Sequence, residues 1–254
     1  MKFSAQTDRG RVRPSNEDAY CLEVLDAGAG RALLAVADGM GGHAAGEVAS
    51  ALAIATLRER VLTQALHWTG DDERLLGLGD AMVAAHAAIL AAQGQDPRRA
   101  GMGTTLTAVL IWGEYLYIGH TGDSRAYLVG AEGGIRQLTD DHSVVGELVR
   151  GGSLTELEAM QHPQRHVLTS ALGTQGRLRV DLQATLWHPG DVVILCSDGL
   201  TNLVTAAEIA ERVRLAAVDH FDSLARELVE LANARGGHDN ITVVAARRGE
   251  EVRA

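Results

Sequence analysis

The feature that most constrains the fold of this chain is a series of short β-type segments between residues 104 and 138. Four apolar, β-branched segments follow one another closely, at about 104–111, 114–120, 124–129 and 135–138. Short glycine-containing turns join them, so there is no room for a helix between one strand and the next. This spacing predicts an antiparallel sheet.

The rest of the chain predicts strands and helices in blocks. Strand patterns lie at about 3–25 (two strands around a polar turn), 31–37, 178–186, 192–196 and 241–246, and helical periodicity lies at about 45–66, 71–93, 205–217 and 222–234. We therefore expect an α+β fold with four layers, αββα, in which pairs of helices flank an antiparallel β-sandwich. No linker divides residues 1–254, which indicates one domain. Residues 143–166 are polar and irregular, and are expected to form a flap over the surface.

Composition excludes several functions. The net charge of −10 argues against a nucleic-acid partner, which needs a basic face. Lys2 is the only lysine, so Schiff-base chemistry and a P-loop lysine are excluded. The two cysteines, Cys21 and Cys196, lie in apolar segments and are expected to be buried thiols. With neither a signal-peptide pattern nor an obvious membrane span, a cytoplasmic protein is expected.

Acidic residues recur at predicted strand ends and turns. They are Glu17, Asp18, Asp38, Asp123, Asp198 and Asp239, and glycine or asparagine stands next to most of them. A single Asp-Gly pair is usually turn chemistry. These acids, however, all end or join strands of the same predicted sandwich. If those strand ends meet, several carboxylates converge on one site.

Converging carboxylates repel one another unless cations lie between them. Oxygen ligands suit Mg²⁺ or Mn²⁺, and neither paired cysteines nor His-x-x-x-His spacing beside the acids supports zinc. Two such ions about 3.5–4 Å apart can activate a shared water. They also let an acidic protein accept a phosphate, for which Arg13 is well placed. The residues alone thus predict a two-metal site that hydrolyses phosphate esters, and they leave the substrate class open.

The order of motifs along the chain resembles that of the PPM family, the metal-dependent (type 2C) protein serine/threonine phosphatases. The matching motifs are Arg13-Pro14-Ser15-Asn16-Glu17-Asp18, Ala37-Asp38-Gly39-Met40-Gly41-Gly42, Met102-Gly103-Thr104-Thr105, Gly119-His120-Thr121-Gly122-Asp123-Ser124-Arg125, Asp141-His142-Ser143, Cys196-Ser197-Asp198-Gly199-Leu200 and His238-Asp239-Asn240-Ile241-Thr242. They cover nearly the whole chain, which makes a chance match implausible.

The resemblance implies a role for each matching residue. Asp38 would bridge two core metals, with Asp198 and Asp239 completing the first and Glu17 and the carbonyl of Gly39 contacting the second. Asp18 would hold a metal-bound water, and Arg13 would bind the substrate phosphate. Bacterial members often bind a third metal, for which the matching acids are Asp123 and Asp198.

The implied activity is Mn²⁺- or Mg²⁺-dependent hydrolysis of phosphoserine and phosphothreonine in proteins, opposing a serine/threonine kinase. A monomer without a membrane partner is expected. One position departs from many eukaryotic members, which have a histidine directly after the Asp-Gly pair as the proposed general acid. Here Met40 follows Gly39 and His43 comes three positions later. We hypothesise that water at the metal centre protonates the leaving oxygen instead.

Three alternative functions fit the residues less well. A pseudophosphatase of the same fold would bind without chemistry, but such proteins usually lose metal-site acids, and all are present here. Phosphatases with an aspartate nucleophile need a second aspartate where Val36 stands, and a parallel sheet. An N-terminal-nucleophile hydrolase needs a mature chain that starts at Ser, Thr or Cys, and no cleavage signal points to Thr104 or Thr105.

Overall fold

A computed structural model describes residues 1–41, 45–155, 158–159, 162–216 and 218–249. Its strands are β1 Lys2–Asp8, β2 Asp18–Asp26, β3 Arg31–Met40, β4 Gly103–Thr104, β5 Leu106–Trp112, β6 Tyr115–Thr121, β7 Arg125–Val129, β8 Ile135–Gln137, β9 Asp181–Leu186, β10 Val192–Cys196 and β11 Ile241–Arg247. One sheet has the order β1-β11-β10-β7-β8, and the other has the order β2-β3-β5-β6-β9, with β4 paired to β3. Neighbouring strands pair antiparallel throughout.

Helices cover the outer faces of both sheets. They are α1 Ala45–Gln64, α2 Asp71–Gln95, α3 Val144–Arg150, α4 Asp198–Thr201, α5 Ala206–Leu215 and α6 Leu224–Ala234, with 3₁₀ turns at Ala65–His67, Pro97–Arg99 and Val218–Ser223. Helices α1 and α2 pack on the β2-to-β9 sheet, and α5 and α6 pack on the other sheet. A third apolar cluster fills the space between the two sheets. The predicted four-layer α+β architecture is confirmed.

Strand β3 shows why the layers form. Its residues alternate between two apolar clusters, because successive side chains of a strand point to opposite faces. Leu33, Ala35 and Ala37 face the α1–α2 layer, whereas Leu34 and Val36 face the opposite sheet. Each of these side chains is fully buried. A strand that is apolar on both faces therefore lies in the middle of the sandwich, as the continuous apolar run predicts.

Helix α2 is long and apolar enough to cross a membrane by length and composition, although the sequence pattern did not suggest a span. It packs as a core helix, with Leu78, Met82 and Ile89 fully buried in the α1–α2 layer. Gly77 and Gly79 both lie within this helix. A Cβ at Gly77 would lie 2.3 Å from the Trp68 ring, so the glycine lets that ring pack closely against the helix.

Two strand boundaries differ from those expected. Strand β3 continues through Asp38 and Gly39 to Met40, because the short β4 pairs with its end. Strand β9 begins at Asp181 rather than near residue 178. A capping box opens α5: the hydroxyl of Thr205 accepts from the backbone N–H of Glu208, and the Glu208 carboxylate accepts from the backbone N–H of Thr205.

The segment predicted to form a flap, residues 143–166, leaves and rejoins the sandwich at the same place. The backbone N–H of Val144 donates to the carbonyl of Val167 over 2.9 Å, and Ser143 forms a β-bridge with Leu168. The Ser143 hydroxyl caps helix α3 by accepting from the N–H of Gly146. The flap is therefore fixed at its base to the sandwich, beside the acidic turn that precedes β7.

Candidate metal centre

The polar turn before β2 is tied to the start of β11 by one asparagine. The side-chain oxygen of Asn240 accepts from the backbone N–H of Glu17 over 2.8 Å, and its amide donates to the carbonyls of Arg9 (2.9 Å) and Ser15 (2.8 Å). These bonds join segments that are more than 220 residues apart in sequence. They bring Glu17 next to Asp239, the neighbour of Asn240.

Glycines let the backbone and a carboxylate approach each other at the end of β3. A Cβ at Gly39 would lie 2.2 Å from the carbonyl oxygen of Gly46, and a Cβ at Gly46 would lie 2.2 Å from Oε2 of Glu17. The carboxylate of Glu17 therefore lies against the first turn of α1. A side chain at Gly39 would not fit because of this crowding, and no turn is involved, since Gly39 belongs to an extended strand. The expectation that Asp38 ends its strand is wrong, because β4 pairs with Gly39 and Met40 and so extends β3.

Asp18 and Asp38 face each other across the pairing of β2 with β3. The Oδ2 atom of Asp18 accepts hydrogen bonds from the hydroxyls of Ser197 (2.7 Å), which follows β10, and Thr242 (2.6 Å) of β11 in the opposite sheet. Its Oδ1 atom is buried and has no hydrogen-bond partner among the described residues. Asp18 thus links the two sheets and keeps one oxygen available in the interior.

Asp198 is the first residue of helix α4, directly after β10. Its Oδ2 atom accepts from the side-chain amide of Asn202, one helical turn later, over 3.0 Å. Its Oδ1 atom, like that of Asp18, is buried without a partner in the part of the chain that the structure describes. The second Asp-Gly pair of the sequence therefore starts a helix rather than a hairpin turn.

The acids influence one another strongly. Burial and then the neighbouring carboxylates Asp18 and Asp198 raise the pKa of Asp38 well above its ordinary value. Burial raises the pKa of Asp18 to about 7, even though the hydroxyls of Thr242 and Ser197 act in the opposite direction. Burial and then the charge of Asp239 raise the pKa of Asp198. Buried carboxylates that raise one another's pKa values need a cation to stay ionised.

Arg13 forms an ion pair with Asp239, an acid of this cluster. Its Nη2 atom donates to Oδ2 of Asp239 over 2.7 Å, and about half of its side chain (53%) remains exposed. The hydrogen bond and charge of Asp239 outweigh burial and raise the pKa of Arg13. The guanidinium therefore lies at the mouth of the acidic cluster, with one side on Asp239 and the other open to solvent.

The donor set fits hard divalent cations. Among the described residues, no three acidic, histidine or cysteine side chains are already arranged as a metal-ligand shell. The carboxylates are held instead by protein donors, as Asp239 is by Arg13 and Asp198 by Asn202. The unpartnered buried oxygens of Asp18 and Asp198 nevertheless face an interior that is rich in carboxylates. All-oxygen donors of this kind suit Mg²⁺ or Mn²⁺.

Asp123 lies in the turn between β6 and β7, close to Asp198. Burial and then the charge of Asp198 raise the pKa of Asp123 well above its ordinary value. Both residues line a cavity of about 500 Å³ that extends beneath the flap. Polar groups, including Arg125 and Asn202, line part of it, and Val145 on α3 contributes an apolar wall. The two acids predicted to bind a third metal, Asp123 and Asp198, therefore line the same cavity.

His120 and His142 are both fully buried in a hydrogen-bonded network. Nε2 of His142 lies 3.0 Å from the carboxylate of Asp181, and its Nδ1 accepts from the backbone N–H of Gly122. The two imidazole rings lie 4.8 Å apart. Burial and then the neighbouring His142 lower the pKa of His120 to about 4. His142 thus holds the backbone of the turn that carries Asp123. The spacing of residues in the sequence does not predict that these two histidines are buried.

The structure thus brings most predicted site residues to one end of the sandwich. Glu17, Asp18, Asp38, Asp198 and Asp239 share one region, with Arg13 at its mouth and the strand residue Gly39 against α1. Asp123 joins them through Asp198. Met40 ends β3, whereas His43 lies outside the described residues. The individual roles in metal and phosphate binding stay predictions.

An antiparallel αββα sandwich with buried acids at one end and an arginine at its mouth is the arrangement expected of a metal-dependent phosphatase. The family model for protein phosphatase 2C matches residues 8–242. The chain belongs to this family.

Named relatives agree with this assignment. The serine/threonine protein phosphatase PstP of Mycobacterium tuberculosis is 43% identical over 250 residues, which is 97% of this chain and 45% of the relative. The serine/threonine phosphatase stp of Listeria monocytogenes is 38% identical, covering 98% of this chain and 96% of the relative. This chain therefore spans about half the length of PstP and nearly all of stp.

A solved structure shows the same fold with metals. The catalytic domain of the serine/threonine protein phosphatase PstP, in complex with two manganese ions, superposes with a TM-score of 0.82. The two chains are 40% identical, and the match covers 98% of each. That neighbour binds two manganese ions, which is consistent with the acid-rich centre described above.

Proposed function

We propose that this chain is a manganese-dependent phosphatase of phosphoserine and phosphothreonine in proteins. The observation that carries the proposal is the partly buried cluster of Asp18, Asp38 and Asp198, whose pKa values are all raised, with Arg13 paired to its neighbour Asp239. Such a cluster binds cations readily, and with cations bound it accepts a phosphate dianion despite the net charge of −10.

The chain offers ligands for two core ions: the carboxylates of Glu17, Asp38, Asp198 and Asp239 and the carbonyl of Gly39. When bound, these ions would supply an activated water and stabilise the charge that develops on the phosphate. Burial raises the pKa of Glu17, against the effect of Arg13, so this carboxylate also gains from a bound cation.

Arg13 binds and orients the substrate phosphate in this proposal. Its guanidinium is half exposed and already holds a carboxylate oxygen of Asp239 at 2.7 Å. A planar guanidinium can contact two oxygens of a phosphate at once, and the exposed side faces the direction from which substrate arrives. Arg13 therefore holds the ester in line for attack, which lowers the entropic part of the barrier.

Asp18 positions water through its unpartnered oxygen. Its other oxygen is held by Ser197 and Thr242, so the carboxylate cannot rotate freely. In the hydrolysis, water adds to phosphorus and the bond from phosphorus to the serine or threonine oxygen breaks. The leaving oxygen takes a proton from water in the site, since the Met40 side chain carries no proton to donate.

Finer points belong to the same proposal. Asp123 and Asp198 are suited to a third ion, because both are partly buried and line the same cavity, and Mg²⁺ suits the same oxygen donors as Mn²⁺. The physiological substrates would be proteins phosphorylated by a serine/threonine kinase in signal transduction.

The cellular location proposed is the cytoplasm, because free, buried Cys21 and Cys196 suit a reducing compartment. A monomer is proposed.

Phosphate release from matched phosphothreonine and phosphotyrosine peptides tests this function. We expect Mn²⁺ to support hydrolysis of the phosphothreonine peptide, EDTA to abolish it, and Asp38→Asn to lack it with Mn²⁺ present. A chain that binds the phosphothreonine peptide without turnover at any Mn²⁺ concentration would be a pseudophosphatase, the alternative within this fold. Preferred hydrolysis of phosphotyrosine would refute the substrate class.

A further inference from the structure

The turn between β1 and β2 carries arginine at alternate positions. Arg9, Arg11 and Arg13 lie within five residues, and each is exposed. Val12 between them is also 65% exposed. Three arginines at one point are unusual in a chain that has 23 basic and 33 acidic residues. Their position at the mouth of the metal centre makes them a candidate surface for substrate.

The backbone of this turn is fixed against the metal centre. The N–H of Arg11 donates to the carbonyl of Gly237 over 2.7 Å, and the carbonyl of Arg9 accepts from Asn240. Gly10 between them has φ of +80°, and a Cβ there would lie 2.1 Å from the carbonyl oxygen of Asp239. The turn therefore packs directly against the segment that carries Asp239, and the backbone that bears its arginines is held in place.

The three arginines divide into two groups by their contacts. Arg13 turns inward to Asp239 and lowers the pKa of Glu17 against the larger effect of burial. Arg9 and Arg11 form no ion pair with any described residue, and the guanidinium of Arg9 donates instead to the carbonyl of Pro14 over 3.3 Å. Arg9 and Arg11 therefore do not pair with the acids of the metal centre, and their exposed side chains extend into solvent beside it.

We propose that Arg9 and Arg11 bind acidic side chains next to the phosphorylated residue, so that the enzyme prefers acidic phosphopeptides. The inference rests on the proposed function and deepens it. Arg9 and Arg13 are four residues apart in a turn, so their Cα atoms lie no more than about 13 Å from each other. With phosphate on Arg13, an extended peptide brings an Asp or Glu side chain to Arg9 or Arg11 within about four residues of the phosphorylated residue.

A pair of phosphothreonine peptides tests the proposal. They differ only in having Asp and Glu, or Asn and Gln, at the positions that flank the phosphothreonine. Exposed arginine–carboxylate pairs contribute modestly, so we expect kcat/KM to favour the acidic peptide about three- to tenfold at low salt, mainly through KM. The preference should fall as ionic strength rises, because the pairs are screened.

The double variant Arg9→Gln/Arg11→Gln should reduce the ratio of the two kcat/KM values to about one. The matched control is Arg60→Gln/Arg214→Gln, which removes the same charge from the outer helices. Arg60 lies 14 residues beyond Gly46 on α1, roughly 21 Å along the helix from the Glu17 carboxylate. This control should keep the preference of the unaltered protein.

Three results would overturn the proposal. The unaltered protein could show no preference, the double variant could keep the preference, or the control could lose it equally. A peptide with a second phosphothreonine in place of the acids is a separate arm, and a preference for it alone would also refute binding of carboxylates. Failure of the proposed function is distinct, because then neither peptide would be hydrolysed by the unaltered protein.

Discussion

Replacing Asp18 by asparagine should make the metal-free protein more stable at alkaline pH. Burial raises the pKa of this carboxyl from 3.8 to about 7. Asp18 therefore holds its proton more tightly in the folded chain than in the unfolded chain. Its contribution to stability is complete below pH 3.8 and is lost as the pH rises through about 7. Asparagine cannot ionise, so it avoids this loss.

The size of the effect follows from the same pKa. A rise of about three pKa units at about 1.4 kcal/mol each sets a ceiling of about 4 kcal/mol. An amide oxygen can still accept from Ser197 and Thr242, but the new NH₂ group replaces an oxygen that has no partner. Burying that donor costs about 1–3 kcal/mol. We therefore expect a net gain of about 1–3 kcal/mol at pH 8.

Urea unfolding in EDTA at pH 8 and at pH 5, followed by tryptophan fluorescence, measures the difference. The stabilisation should be present at pH 8 and should shrink at pH 5, where the native carboxyl keeps its proton. Asp80→Asn, at an exposed position of α2, is the control and should change neither value. An Asp18→Asn protein that is no more stable at pH 8, or whose gain is the same at pH 5, would refute the reasoning.

Three further changes test other parts of the site. Arg13→Ala should lower kcat/KM for a phosphothreonine peptide about 30- to 1,000-fold, since it removes a charged phosphate contact; near-normal steady-state hydrolysis would contradict this role. Gly46→Ala places a Cβ 2.2 Å from the Glu17 carboxylate, so the Mn²⁺ concentration for half-maximal activity should rise. Gly94→Ala, at an open position of α2, should leave it unchanged. His142→Ala should lower the free energy of unfolding by about 2–4 kcal/mol, because it leaves the Gly122 N–H unpaired and a cavity in the core; denaturant curves that coincide with those of the unaltered protein would exclude this.

Features encoded locally could be predicted from the sequence. The hairpin spacing between residues 104 and 138 predicts the antiparallel strands, and the Thr205–Glu208 pair predicts where α5 begins. The acids followed or preceded by glycine predict a converging site, because strand ends of one sandwich lie together.

Features that depend on distant contacts could not be predicted. Strand β3 passes through Gly39 to Met40 because β4, which is distant in sequence, pairs with its end. The Trp68 ring packs closely against α2 because Gly77 has no side chain at the contact. The burial of His142 depends on Asp181, which is 39 residues away. Each of these outcomes is set by tertiary packing, which sequence periodicity does not contain.

The count of Mn²⁺ ions bound by the chain tests the central claim most directly. Electron paramagnetic resonance distinguishes free from bound Mn²⁺ in a titration of the metal-free protein at neutral pH. The account predicts at least two ions per chain for the unaltered protein, and fewer than two for Asp38→Asn, whose carboxylate lies among Asp18, Asp198 and Asp239. Two ions bound to Asp38→Asn with unchanged affinity, or none bound to the unaltered chain at millimolar Mn²⁺, would contradict it.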